Sequence, residues 1–122
     1  MTPKKNILIV DDSPIVIERL KEMLTSVKNI EPLIFCGSYN AAVDILTNKK
    51  PNIIILDINL PDKNGIELLR YIRAKHEGII VIMLSNQAGE YYRNLCKLLG
   101  ADYFIDKSNE FELVPGLISS LS

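Results

Sequence analysis

Apolar residues are concentrated in five short runs along the chain: residues 7–10, 33–35, 53–56, 79–84 and 103–105. In the central runs the apolar residues occupy consecutive positions, which is typical of strands that are covered on both faces. Four intervening segments have apolar residues at helical spacing: residues 13–27, 39–48, 66–75 and 91–99. The pattern therefore predicts strands that alternate with helices.

Two prolines help to place the starts of helices. Ser13 and Pro14 are the residue types favoured at the N-cap and the first position of a helix. The last segment, residues 111–121, also has helical spacing, but it contains Pro115. Because proline breaks the interior of a helix, this helix either begins at about Pro115 or is kinked there.

Alternating strands and helices indicate βαβ units, a parallel sheet and helices on both of its faces. No low-complexity stretch, linker or long run of charge interrupts the alternation. We therefore expect one α/β domain over residues 1–122.

The composition of the chain excludes several classes of function. The chain has 14 Lys and Arg against 15 Asp and Glu, a net charge of −1, so it has no large basic field for nucleic acid or an anionic membrane. It contains no run of ~18 apolar residues, which a transmembrane helix would need. Cys36 and Cys96 lack the spacing of a metal or redox motif, which fits a reduced, cytoplasmic protein.

Three aspartates follow buried strands. Asp11 and Asp12 come directly after the first strand, and Asp57 after the third. In open α/β sheets, ligands bind at the carboxyl ends of the strands. Two like charges ~4 Å apart repel by about 4 kcal/mol at an effective dielectric constant of about 20, so a cluster must hold a proton or a cation. Any one of these residues alone is common in a turn, but together they predict an oxygen-only site for Mg²⁺, or Mn²⁺.

Two further polar residues follow strands, Ser85 after the fourth and Lys107 after the fifth. A hydroxyl and an ammonium group beside a metal-bound carboxylate suit an incoming phosphoryl group, which needs charge neutralisation and positioning. Between Asp57 and the next helix, Pro61 fixes the backbone of the loop, and Gly65 is predicted to permit a tight or left-handed conformation.

Together these residues resemble the receiver domain of two-component response regulators. The matching features are an acidic pair after the first strand, an Asp-x-x-Leu-Pro-x-x-x-Gly loop, a serine after the fourth strand, and the segment that ends in Lys107. The resemblance covers nearly the whole chain. It implies a flavodoxin-like (βα)5 three-layer sandwich with the parallel strand order 2-1-3-4-5.

The resemblance also implies roles at the metal and phosphoryl site. Asp57 would accept a phosphoryl group from a histidine kinase or a histidine phosphotransfer protein. Asp12, Asp57 and the backbone carbonyl of Asn59 would bind Mg²⁺ directly, and Asp11 would bind it through water. Apart from catalysing its own phosphorylation and dephosphorylation, such a domain is not an enzyme.

Other positions would transmit and time the signal. Ser85 and Lys107 would hold phosphoryl oxygens, and Phe104 would be an aromatic switch that turns inward when Ser85 moves. Asn59 and Gln87 would tune hydrolysis of the aspartyl phosphate. The surface of the fourth helix, fifth strand and last helix would control a downstream protein or form a homodimer, without nucleic-acid or membrane binding by this domain.

Three positions depart from the pattern of this family. Ser108 stands where proline is usual, which leaves open whether the Lys107–Ser108 bond is cis or trans. Asn86 stands where a small residue is usual, and its amide could narrow access to the site or bind the phosphoryl group. Asp106 replaces an apolar residue.

Asp106 is expected on the output surface. Strand periodicity places it on the same face as Phe104. We expect it to pair with Arg93 or Lys97 of the fourth helix.

Two alternatives remain. The chain could be a phosphorylation-independent interaction module with a receiver-like fold, for which Ser108 and Asn86 are the only support. It could also be an enzyme of similar architecture. A phosphatase with an aspartyl nucleophile usually has Asp-x-Asp after its first strand, and a nucleotide binder needs a phosphate loop that the acidic pair would repel.

Overall fold

The computed structural model describes residues 4–121. The predicted domain of residues 1–122 therefore extends beyond the described residues at both ends. The strands are β1 (Ile7–Val10), β2 (Ile34–Cys36), β3 (Ile53–Leu56), β4 (Ile80–Ser85) and β5 (Tyr103–Asp106). The helices are α1 (Pro14–Leu24), α2 (Tyr39–Asn48), α3 (Gly65–Lys75), α4 (Glu90–Leu98) and α5 (Val114–Ser120).

The strands form one parallel sheet in the order β2-β1-β3-β4-β5. This order confirms the expected flavodoxin-like arrangement. Val10 and Leu56, the last residues of β1 and β3, are in register with each other, and Leu56 is in register with Met83 of β4. Strand β4 continues two residues further, to Ser85. The residues that follow these strands therefore meet at one edge of the sheet.

Two apolar cores cover the two faces of the sheet. On one face, alternate strand residues such as Ile9 and Ile55 pack against α1 and α5. On the other face, their neighbours, such as Leu8 and Ile54, pack against α2, α3 and α4. Because both faces are covered, the strands are apolar at consecutive positions. Among residues 4–121, no helix has both the length and the hydropathy that a bilayer span requires.

The largest differences between the predicted and observed helix boundaries lie at the end of α1 and the start of α5. Helix α1 ends at Leu24 rather than Val27, because the Thr25 and Ser26 hydroxyls donate to the carbonyls of Glu22 and Met23. Such side-chain hydrogen bonds compete with continuation of the helix.

The last helix, α5, begins at Val114, whereas its apolar pattern begins at residue 111. A 3-10 turn (Phe111–Leu113) precedes α5, and Pro115 lies in the first turn of that helix, where its missing N–H has no intrahelical partner to lose. The first of the two predictions for Pro115, a helix that begins there, is therefore the correct one.

Candidate functional site

Asp11 and Asp57 extend two neighbouring central strands. The Asp11 N–H donates to the Cys36 carbonyl and the Asp57 N–H to the Val10 carbonyl, both at 3.0 Å. Asp12 follows in the turn before α1. One carboxylate oxygen from each aspartate lies within 4.8 Å of the others. Asp11 is 2% exposed and Asp57 5%, whereas Asp12 is exposed, so the cluster is buried on one side and open on the other.

Lys107 neutralises part of this acidic cluster. Its Nζ lies 2.7 Å from Asp11 Oδ2, an ion pair without hydrogen-bond geometry, and it donates to Asp57 Oδ2 at 3.1 Å. Burial alone would lower the pKa of Lys107, but the two carboxylates reverse this effect and raise it. The lysine is therefore a fixed positive charge beside Asp57.

The Asp57 carboxylate has one paired and one unpaired oxygen. Its Oδ1 is buried and has no hydrogen-bond partner, which is costly for a charged oxygen. Burial raises the pKa of the Asp57 carboxyl, Lys107 opposes the rise, and Asp11 adds to it. An unpartnered carboxylate oxygen in an oxygen-only donor set fits a hard divalent cation.

Ser85 closes the site on the β4 side. It is fully buried, and its hydroxyl accepts from the Gln87 N–H at 3.0 Å. The Gln87 side chain then donates to Asn59 Oδ1 at 3.0 Å. This amide bridge joins the loop after Asp57 to the loop after Ser85. The sequence singles out both amides, but it gives no signal that they touch.

Gly65 holds the loop after Asp57 against its strand. The Gly65 N–H donates to the Ile58 carbonyl at 2.6 Å. A Cβ at this position would overlap the backbone carbonyl of Asp57. The φ angle of Gly65 is not positive, so of the two predicted reasons for this glycine the tight conformation is the one observed: close approach of two backbones requires glycine here.

Residues 7–117 match the sequence profile of the response regulator receiver domain. The chain belongs to this family. Receiver domains of two-component response regulators are phosphoacceptors in signalling, and the family assignment confirms the resemblance noted from the sequence.

Curated relatives and solved structures agree with this assignment. The chain is 35% identical to the transcriptional regulatory protein MalR of Bacillus subtilis over 88% of its own length and 46% of that protein. It is 33% identical to the DNA-binding transcriptional activator EvgA of Escherichia coli K12 over 84% of its length and 50% of that protein. The chain thus spans about half the length of these relatives. The Mn²⁺-bound form of response regulator Rcp1 superposes with a TM-score of 0.82, at 26% identity, over 96% of this chain and 91% of Rcp1.

This receiver domain accommodates Ser108 and Asn86 by pairing them. No peptide bond among residues 4–121 is cis, so the Lys107–Ser108 bond is trans, and Lys107 still reaches the acids. The Ser108 hydroxyl donates to Asn86 Oδ1 at 3.2 Å. The amide of Asn86 thus bonds the neighbouring loop.

The expected pairing of Asp106 with Arg93 or Lys97 is wrong. Asp106 instead accepts from the Ser108 N–H at 2.9 Å and from Asn109 Nδ2 at 3.0 Å. These hydrogen bonds lower the pKa of its carboxyl. Partners two and three residues away prevail because they need little ordering of long side chains.

Arg93 contacts Glu110 instead. Its Nη2 lies 2.8 Å from Glu110 Oε1, which also accepts from the Asp106 N–H at 3.0 Å. The Arg93 guanidinium carbon lies 5.0 Å from the centre of the half-buried Phe104 ring. Sequence reasoning missed this contact to the expected switch residue, because Glu110 lies in a turn with no distinctive pattern.

Proposed function

We propose that this receiver domain accepts a phosphoryl group on Asp57 from a histidine kinase or a histidine phosphotransfer protein. The observation that carries the proposal is the state of the Asp57 carboxylate. It is buried, it is paired through Oδ2 with Lys107, and its Oδ1 has no partner. A carboxylate in this position is oriented and free to attack.

The transfer step follows from this geometry. An Asp57 oxygen attacks the phosphorus atom of a phosphohistidine, an O–P bond forms, and the N–P bond breaks with its electron pair returning to the imidazole. Lys107 and the Ser85 hydroxyl hold the phosphoryl oxygens, whose charge they offset. The Ser85 hydroxyl accepts from the Gln87 N–H, and its own O–H can still donate to a phosphoryl oxygen.

Mg²⁺ is the proposed cofactor, with Mn²⁺ as a substitute. Asp12, Asp57 and the Asn59 backbone carbonyl would hold it directly, and Asp11 would do so through water. When bound, the cation supplies charge neutralisation between carboxylate and phosphoryl oxygens. One carboxylate oxygen each from Asp11, Asp12 and Asp57 lies within 4.8 Å of the others, which supports this assignment, and the solved structure of Rcp1 is a Mn²⁺-bound form.

The signal is proposed to leave through α4, β5 and α5. Phe104 is the proposed switch, and Arg93 lies against its ring while bonded to Glu110. Movement of Phe104 therefore displaces a side chain that joins α4 to the turn before α5. Tyr91 and Leu98 are 70% and 82% exposed on α4, which gives this surface apolar area for a protein partner or a second copy.

The amide bridge between Asn59 and Gln87 supports the proposed tuning role of these residues. Because the bridge joins the two loops beside Asp57, it hinders approach of water. The domain is proposed to catalyse only its own phosphorylation and dephosphorylation. Its cytoplasmic location stays a prediction.

The alternative function, a phosphorylation-independent interaction module, has less support. Its only support was the presence of Ser108 and Asn86 at unusual positions. Lys107 nevertheless contacts the buried carboxylates of Asp11 and Asp57 with Ser108 next to it. Beryllofluoride, a phosphoryl mimic, distinguishes the two functions. With Mg²⁺ it should shift backbone amide resonances of α4 and β5 in the wild type, and an unchanged spectrum would favour the alternative.

Intact-protein mass spectrometry tests the proposed function. Treatment with acetyl phosphate and Mg²⁺ should add one phosphoryl group to the wild type, and chelation of Mg²⁺ should prevent the addition. Asp57→Asn should remain unlabelled, whereas Asp44→Asn, at an exposed position of α2, should be labelled like the wild type. Equal labelling of Asp57→Asn would refute the proposal.

A further inference from the structure

The loops after β4 and β5 continue side by side beyond the sheet. The register pairs Ser85 with Asp106. One residue further on, the Lys107 N–H donates to the Ser85 carbonyl at 3.1 Å. Beyond that bond, the Ser108 hydroxyl donates to Asn86 Oδ1 at 3.2 Å. A side-chain hydrogen bond thus continues the pairing next to Ser85 and Lys107.

Ser108 is fixed by its backbone as well as by its hydroxyl. Its N–H donates to Asp106 Oδ1 at 2.9 Å, and Asn109 Nδ2 donates to Asp106 Oδ2 at 3.0 Å. The residues on both sides of Lys107 are therefore held by hydrogen bonds. Because a long lysine side chain loses much rotamer freedom when it is ordered, a fixed backbone helps to keep its ammonium group at the acids.

We propose that Asn86 and Ser108 form a positioning pair for Lys107. Their hydrogen bond keeps the Lys107 loop against the Ser85 loop, so that Nζ stays between Asp11 and Asp57. The inference rests on the proposed function, in which Lys107 binds a phosphoryl oxygen. Asn86 and Ser108 are both exposed, so truncating either side chain leaves no cavity in the core. A lower rate of phosphoryl labelling in these variants would therefore not result from unfolding.

The rate of labelling by acetyl phosphate tests the pair. Ser108→Ala and Asn86→Ala should each lower the rate at saturating phosphodonor by about threefold to tenfold, the equivalent of one hydrogen bond. The concentration of Mg²⁺ for half the maximal rate should not change, since neither side chain supplies a metal ligand. The double variant should be no slower than the slower single variant, and Ser108→Thr should keep the wild-type rate.

Matched substitutions control for loss of a hydroxyl or an amide elsewhere. Ser120→Ala removes a hydroxyl that donates to the Leu117 carbonyl, and Asn48→Ala removes an amide that donates to the Asp44 carbonyl. Both should label at the wild-type rate. Wild-type rates in Ser108→Ala and Asn86→Ala, or effects that multiply in the double variant, would overturn the proposal.

Amide hydrogen exchange tests the pair without phosphorylation. Protection of the Lys107 N–H should fall in Ser108→Ala and Asn86→Ala, whereas the Val81 N–H, which donates to Asp102 Oδ2 at 2.8 Å, should keep its protection. If the wild type is never labelled but Lys107 loses protection in the variants, the proposed function fails and the positioning pair stands. Unchanged protection of Lys107 overturns the pair whatever the labelling shows.

Discussion

Gly65, the first residue of α3, lies against the backbone carbonyl of Asp57, and a Cβ on this glycine would overlap that oxygen. The contact joins the start of a helix to the backbone of the proposed phosphoacceptor. The position of the Asp57 carboxylate therefore depends on a residue eight positions further along the chain.

Gly65→Ala should shift the Asp57 backbone and destabilise the fold by about 1–3 kcal/mol, the usual cost of overpacking a buried site. Urea unfolding measures the loss, and the rate of labelling by acetyl phosphate should fall with it. Gly116→Ala is the matched control, because a Cβ there would meet no atom within 4 Å and alanine favours a helix. Wild-type stability in Gly65→Ala would contradict the close approach.

At pH 7, Asp57→Asn should have a free energy of unfolding about 1 kcal/mol higher than that of the wild type, the size of the effect of one buried polar group. Urea unfolding measures this difference. The raised pKa of Asp57 means that its ionised form destabilises the folded state. Protonation removes this penalty, so the advantage of the variant should shrink as the pH falls toward the ordinary aspartate value of 3.8. An advantage that is the same at pH 4 and pH 7 would show that ionisation is not its cause.

In the presence of Mg²⁺, the wild type should become more stable than Asp57→Asn. A ligand that binds only the folded state stabilises it by about 1.4 kcal/mol at ten times its Kd. The wild type should gain this stabilisation, while Asp57→Asn, which lacks one carboxylate of the cluster, should gain less. Equal shifts of the unfolding midpoint in both proteins would place the cation away from Asp57.

Gln87→Ala should speed hydrolysis of the aspartyl phosphate by about twofold to tenfold, the equivalent of one net hydrogen bond. The substitution breaks the bridge from Gln87 Nε2 to Asn59 Oδ1 and opens the space between the two loops to water. Loss of the phosphoryl group can be followed by intact mass after removal of the donor. Slower hydrolysis in Gln87→Ala would mean that the amide orients water instead of hindering it.

Asp62 makes the fold sensitive to acid. Its carboxylate accepts the N–H groups of Asn40 and Tyr39 at the start of α2 and that of Lys63 at 2.8–2.9 Å. These bonds, that from Asn40 first, lower the pKa of Asp62 to about 2. A lowered pKa stabilises the folded state above the ordinary value of 3.8, and this contribution is lost as the pH falls toward 2.

Asp62→Asn should therefore lower the unfolding midpoint at pH 6 and progressively less toward pH 3. Thermal unfolding of both proteins across this range measures the difference. A difference that does not vary with pH would show that the carboxylate charge contributes nothing.

The sheet and the acidic cluster could be predicted from the sequence because both depend on local patterns of residues. Strands covered on both faces are apolar at every position, and Asp11 and Asp57 follow such strands directly. Parallel pairing then brings their carboxylates together. The strand order itself came from the family resemblance.

Contacts between loops could not be predicted from local sequence patterns. The bridge between Asn59 and Gln87 and the pair of Asn86 and Ser108 join residues on separate strand ends, and their formation depends on side-chain rotamers. The Asp106 prediction failed because two residues close in sequence offered hydrogen bonds that outweighed an exposed ion pair with α4.

The site of the added phosphoryl group can be located directly, and Asp57 is its proposed position. Borohydride reduces an aspartyl phosphate to homoserine, so reduction of the labelled protein followed by peptide mass spectrometry locates the acceptor. We expect homoserine at position 57 in the wild type, only after treatment with acetyl phosphate and Mg²⁺. Homoserine at position 11 or 12 instead, or an unmodified position 57 in protein that carries the added phosphoryl mass, would show that Asp57 is not the phosphoacceptor.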